Sequence, residues 1–294
     1  EPYRRQRQMC IRDRYKREKN IKVLIIWRGP SPYRVDFFNE LGKLCDLTVL
    51  FERRPDQITD KEKSWFHEDF THFKGIYLKS ITFRNTAFSL EQFKYLRKNA
   101  EYDYIVIGMY STFIQMSSLL YLKLFKIPYL LNSDGGFIKK ENKITYYIKR
   151  FFISGAKAYL SSSKGTSKYL QYYGANNKIM VYPFTTSFQK DVYKNLTAED
   201  KLKYKKILGI KYNVIILFSG QFIYRKGVDI LLKAAKNISK QCGIYIVGGE
   251  PTREYLSLCK ENNLNNVHFI GFTPPQDLAQ YYICLLYTSP SPRD

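Results

Sequence analysis

The 294-residue chain is 45% hydrophobic and carries 48 Lys and Arg against 26 Asp and Glu, a formal charge of +22. That apolar content excludes a disordered chain and is enough for one large core or two ordinary ones. The basic excess calls for a negatively charged partner: nucleic acid, an anionic membrane face or phosphorylated substrates.

Five cysteines, Cys10, Cys45, Cys242, Cys259 and Cys284, show no paired spacing of the kind that builds a zinc site or a disulfide framework, which reads as reduced thiols in a cytoplasmic protein. His67, His72 and His268 do not form a metal set, and no metal is expected. The most apolar stretch, 117–131, is broken by Lys123, Lys126 and Pro128 and falls short of a membrane span.

The two ends read as foreign. Residues 284–294 resemble the translation of a transposase-type sequencing adaptor, and Met9 to Arg14 resemble the opposite strand of its core. Residues 1–14 and 284–294 are therefore set aside as scars. They hold six arginines and three acids, so their removal lowers the charge only from +22 to +19.

In chain order, β-rich runs fall at 21–27, 47–51, 75–79, 104–109, 127–132, 158–161 and 178–182. Helix-length segments with apolar positions three and four apart lie between them, at 33–44, 90–100, 111–125, 141–153 and 166–173. The alternation predicts an α/β parallel sheet covered by helices, with ligands at the carboxyl ends of the strands.

After Pro183 the pattern turns polar through 185–193, and a second series begins. It predicts strands at 214–218, 243–247 and 267–271, helices at 228–237 and 252–261, and a helix from about Pro275. The expected organisation is thus a first domain over 15–190 and a second over 191–283, whose sheet stops unfinished at Ile283. Lys201 to Lys206 read as a solvated helix face.

The most informative segment is Phe218 to Asp229, where a buried strand ends at Gly220 and a helix starts after Gly227. Backbone N–H groups at a helix start carry partial positive charge, and Arg225 and Lys226 add full charges that can grip a diphosphate. A solvated basic turn is the competing reading. Together with Ile230 to Ala235, Ile244 to Glu250, Asn266 to Phe272 and Asp277 to Tyr281, this segment resembles the donor domain of glycosyltransferase family 4.

The resemblance implies two Rossmann-like parallel-sheet domains (the GT-B architecture), a nucleotide-diphosphate sugar as substrate and no cofactor. It assigns Arg225 and Lys226 to the donor diphosphate, and it places Gly220, Gly248, Gly249, Phe272 and Thr273 near the donor. In the first domain, Ile21 to Phe38 resembles the acceptor-domain start of members that build surface polysaccharides, with Arg28, Gly29, Tyr33 and Arg34 facing the acceptor. The alternative there is an ordinary strand-to-helix connection stiffened by Pro30 and Pro32, with Ser31 at the cap.

Asp134, in Asn132 to Gly136, stands roughly where many relatives carry a functional histidine or acid, and an Asp-Gly turn is the plainer alternative. Ser161 to Lys164 could donate hydrogen bonds or simply cap a helix. Relatives carry a glutamate pair beyond the point where this chain ends, so the fragment itself is expected to be inactive.

For the parent, the resemblance implies a retaining sugar transferase acting on a lipid-linked or oligosaccharide acceptor, with an anionic membrane surface as a further partner. A non-catalytic sugar- or lipid-binding protein on the same scaffold is the alternative. No nucleic-acid reading motif is present, and Arg28 to Tyr33 is not a glycine fingerprint for NAD.

Overall fold

The computed structural model describes residues 21–57, 68–83, 86–182 and 197–285, except the side chains of 275 and 276. The chain divides into two compact units, one holding the described residues up to Tyr182 and the other those from Thr197 on. The expected boundary at 185–193 lies outside the described residues, as do His67, residues 1–20 and residues 286–294.

In the first unit, seven strands form one parallel sheet: β1 (Lys22–Trp27), β2 (Asp46–Phe51), β3 (Lys74–Tyr77), β6 (Tyr104–Ile107), β7 (Leu130–Ser133), β8 (Ala158–Ser161) and β9 (Ile179–Val181). Their order is β3-β2-β1-β6-β7-β8-β9. Every residue of β1 and β2 after the first is buried, as a strand covered on both faces requires. Alternate residues feed opposite cores: Leu24, Ile26 and Leu50 join one, and Val23, Ile25, Trp27, Val49 and Phe51 the other.

Five helices of this unit connect the strands: α1 (Pro32–Gly42), α2 (Gln92–Leu96), α3 (Phe113–Leu124), α4 (Lys143–Ile153) and α5 (Lys164–Tyr172). Pro32 opens α1, where a missing N–H costs nothing. Ser31 sits at its N-cap position but makes no side-chain cap bond. Thr112, Asn142 and Ser163 do cap α3, α4 and α5, each accepting a backbone N–H three residues on. Ser163 is thereby accounted for as a cap.

The structure departs from the sequence reading most clearly at three places in this unit. The helix expected over 90–100 is split, because Asn99 turns its side-chain amide back onto Leu96 O and a separate 3₁₀ turn follows at Asn99–Glu101. The strand expected from 127 begins at Leu130, after a turn in which Lys126 takes a positive φ of 53° and Pro128 can donate nothing. A short antiparallel hairpin, β4 (Ile81–Phe83) with β5 (Thr86–Phe88), was not expected at all.

The second unit repeats the plan on a smaller scale. Its described strands β10 (Val214–Ser219), β11 (Cys242–Val247) and β12 (Val267–Ile270) form a parallel sheet in that order. One face packs on α7 (Val228–Ala235) and α8 (Arg253–Glu261) through Ile244, Ile246, Val228, Leu232 and Tyr255. Ile215 and Tyr245 face the other side, with Ile210 and with Tyr281 of α9 (Pro275–Ile283).

Cys284 and Leu285, the first residues of the adaptor-like tail, pack into that second cluster. The Lys-rich stretch is indeed helical, α6 (Ala198–Ile207), opened by a Thr197–Asp200 capping box. Two of its lysines are engaged, Lys201 with Leu285 O and Lys205 with Tyr212 O and Asn213 O.

Candidate functional site

In the second unit, the carboxyl ends of the three strands are tied together by their own backbone. Gly220 N–H donates to Val247 O at 2.9 Å, and Gly248 N–H donates to Ile270 O and Gly271 O at 3.2 Å each. The turns after β10, β11 and β12 therefore sit side by side, and they bring Gly220, Gly248, Gly249, Phe272 and Thr273 to one end of the sheet. Thr273 Oγ1 donates to Gly271 O, and Glu250 Oε1 would lie 3.2 Å from a Cβ at Gly271.

Glycine is obligatory at 248. Its φ is +123°, and a Cβ there would lie 2.5 Å from Gly220 O, a backbone atom that cannot swing aside. Gly248→Ala is expected to cost about 1–3 kcal/mol in strain, read as a fall in unfolding midpoint. An unchanged protein would show that the two turns are less tightly joined than described.

Between β10 and α7 the chain makes a 3₁₀ turn, Tyr224–Lys226, and then Gly227 takes a left-handed φ of 71° to start the helix. Arg225 and Lys226 are exposed at that start. The Lys226 chain runs beside Gly220, its Cδ 3.9 Å from where a Cβ would be. Lys226 thus lies beside a turn that carries no side chain at Gly220, and Arg225 just precedes a helix start whose N–H groups carry partial positive charge, an arrangement suited to a phosphate.

In the first unit, the structure joins two residues that the sequence had placed on separate sites. Arg34, in the first turn of α1, is only 4% exposed and forms an ion pair of 2.5 Å with Asp134, which follows β7 and is 22% exposed. Its guanidinium lies over the Trp27 ring at 4.5 Å. Tyr182, just past β9, completes the cluster: its hydroxyl donates to Asn132 Oδ1 at 2.7 Å, stands 3.2 Å from Asp134 Oδ1 and receives Arg34 Nη1 at 3.4 Å.

Asn132 Nδ2 also donates to Asp134 Oδ1 and to Gly108 O. Burial works against the charged guanidinium, but Asp134 and Tyr182 outweigh it and hold the Arg34 pKa above its ordinary value. Arg28 is exposed, whereas Gly29 and Tyr33 are half-buried.

A second carboxylate went unnoticed in the sequence. Glu52, one residue past β2, is 1% exposed, and its Oε1 accepts the Thr112 hydroxyl at 2.9 Å. Burial pushes its pKa up to about 7, against the pull of the Thr112 hydrogen bond and the Arg28 charge. The signal was available: an acid directly after a buried strand, at the end of the sheet where ligands gather.

The sign follows from linkage. Between the ordinary value of 4.5 and about 7, the folded protein holds a proton that the unfolded chain has lost, so this group's contribution falls as pH rises through that window. Glu52→Gln keeps the acceptor for Thr112 and removes the charge. It is expected to stabilise the protein by about 2–3 kcal/mol at pH 8 and by much less at pH 5, as urea unfolding at the two pH values would show. Equal effects at both would contradict a buried, titrating carboxyl.

Neither described histidine joins these groups. His72 is exposed, and His268 is stacked on Tyr245 with Nε2 3.3 Å from the Tyr212 hydroxyl. Among the described residues, no group of three or more His, Cys, Asp or Glu is placed to hold a metal ion.

Against known families, residues 200–293 match the one described as glycosyl transferases group 1. That match lies within the second unit. An uncharacterized glycosyltransferase, MJ1607, of Methanocaldococcus jannaschii is 30% identical over 93 residues, 30% of this chain and 24% of the relative. The chain thus spans about a quarter of that relative's length.

Among solved structures, Anabaena Alr3699/HepE in complex with UDP and glucose superposes with a TM-score of 0.65 at 16% identity, over 90% of this chain and 72% of that one. The same protein in complex with UDP-glucose gives 0.63 at 16% identity, with the same shares of the two chains covered. The two superpositions show a shared fold of two Rossmann-like units, each built on a parallel sheet.

Proposed function

We propose that the protein moves a sugar from a nucleotide-diphosphate donor to a growing surface polysaccharide or lipid-linked acceptor, with retention of anomeric configuration. The observation that carries this reading is the joined turn of Gly220, Arg225, Lys226 and Gly248 within a segment matching group 1 glycosyl transferases. The UDP and UDP-glucose bound by the Anabaena structures support a nucleotide sugar as the donor.

In the transfer, the bond between sugar C1 and the diphosphate oxygen breaks while an acceptor hydroxyl bonds to C1 and passes its proton to the departing phosphate oxygen. Negative charge grows on the leaving diphosphate, and Arg225 and Lys226 stabilise it there without help from a metal. Gly220 and Gly248 let the phosphates approach the backbone, and Gly249, Phe272 and Thr273 lie toward the nucleoside. Asp134, held by Arg34, Asn132 and Tyr182, serves as the catalytic carboxylate toward the bound sugar, and Arg28, Gly29, Tyr33 and Arg34 serve the acceptor side.

The test is saturation-transfer NMR with UDP-, GDP- and ADP-sugars against the matching nucleoside monophosphates. Binding of one diphosphate sugar, with loss of signal on going to the monophosphate, is the expected result. Equal binding of mono- and diphosphates, or none by any, would defeat this reading and favour a sugar- or lipid-binding protein on the same scaffold.

A further inference from the structure

The first unit carries a helix whose apolar stripe faces the wrong way for its own core. On α4, Tyr146, Phe152 and Ile153 pack inward, yet Ile144, Tyr147, Ile148 and Phe151, spaced as one helical face, point outward. Ile144 is 73% exposed, and Phe137, in the segment leading to the helix, is 81% exposed. The stripe continues onto the end of α3, because Lys123 donates to Phe151 O and Ser154 O at 2.5 Å each and lies over the Phe151 ring. Leu120, Leu124 and Phe125 are exposed beside it.

The charge around this patch has one sign. Residues 113–157 hold eight Lys or Arg and two acids. Both acids are already engaged: Asp134 by Arg34, and Glu141 by Lys149 at 2.5 Å and by the Tyr173 hydroxyl. Lys139, Lys140, Lys143 and Arg150 remain exposed around the stripe. Two copies of this face would bring like charges together, which opposes a dimer. A nucleic acid would leave the apolar residues without a partner. An anionic bilayer satisfies both, taking the apolar face to the acyl boundary while the lysines reach its headgroups.

We propose that α4 and the adjoining end of α3 form a docking face for an anionic lipid surface, on which the helix lies in the plane of the interface. At eleven residues α4 is too short to span, and among the described residues no helix is long and apolar enough to cross a membrane. The proposal deepens the acceptor side of the function above and rests on that reading only for its biological setting, since lipid binding is measured without transfer.

The experiment is co-sedimentation with vesicles of phosphatidylcholine, alone or with one quarter phosphatidylglycerol, at about 0.1 M salt. The protein is expected to bind the anionic vesicles at least about tenfold more than the neutral ones. Ile144→Ser with Ile148→Ser, and separately Lys139→Glu with Lys140→Glu and Lys143→Glu, should each reduce binding by a similar factor. In a further variant, Tyr147→Trp should add emission that shifts to the blue on anionic vesicles.

Absence of binding, equal binding to both vesicles, binding unaffected by the variants, or an unshifted tryptophan would overturn the proposal. Self-association abolished by the isoleucine pair would overturn it in favour of a second copy. Titration of UDP into the same samples reports the donor site independently, so either reading can fail alone.

Discussion

Arg225→Ala is expected to weaken binding of a nucleoside diphosphate by one to two orders of magnitude, about 1.5–3 kcal/mol for a charge-assisted hydrogen bond removed from a phosphate. Arg225 is exposed at the start of α7 and makes no structural contact on which the fold depends, so the unfolding midpoint should stay within a degree or two. Lys226→Ala should act in the same direction. Because a lysine is a point charge and an arginine a fork, Arg225→Lys should recover only part of the loss. Titration calorimetry with UDP and with UMP separates the terms: both variants should depress UDP far more than UMP. Equal losses for the two nucleotides would mean the cations do not face the diphosphate.

Arg34→Ala is the substitution expected to cost most in stability. It leaves Asp134 facing Tyr182 and Asn132 without its cation and strips the Trp27 ring of the guanidinium 4.5 Å above it. Removing one partner of a largely buried pair costs roughly 3–5 kcal/mol. Water reaches Asp134, which is 22% exposed, so about 2–3 kcal/mol is the expectation here.

Asp134→Asn should cost less, because the amide can still accept from Tyr182 and Asn132. The pair Arg34→Ala with Asp134→Ala should be less destabilised than the sum of its members, as is usual for residues in contact. Additive effects in a urea-unfolding cycle would show the ion pair to be incidental.

The alternation of buried strands and amphipathic helices was legible because a parallel sheet covered on both faces reads as unbroken apolar runs, as in Val23–Trp27 and Leu47–Phe51. The turn between β10 and α7 was legible for a local reason: Gly220, Arg225, Lys226 and Gly227 lie within eight consecutive residues between one strand and one helix. The Arg34–Asp134–Tyr182 cluster was not, since its members lie 100 and 48 residues apart and meet only because β1, β7 and β9 run parallel and finish at the same carboxyl end of the sheet.

Asp134 was singled out as an acid at a strand end, but nothing near it in sequence announces Arg34. The hairpin of Ile81–Phe83 and Thr86–Phe88 escaped notice because three-residue strands with both faces partly exposed leave no period to read. The outward stripe of α4 produced the right helix for a reason that hides its facing, since periodicity reports that an apolar face exists and not which side meets the core.

Hydrogen exchange with and without saturating UDP tests the central claim most directly. The account predicts slowed exchange in peptides covering 218–228, 247–251 and 270–274, where the turns after β10, β11 and β12 lie side by side, with the Arg225→Ala variant losing that protection. Protection confined to the first unit, or none at saturation, would contradict it.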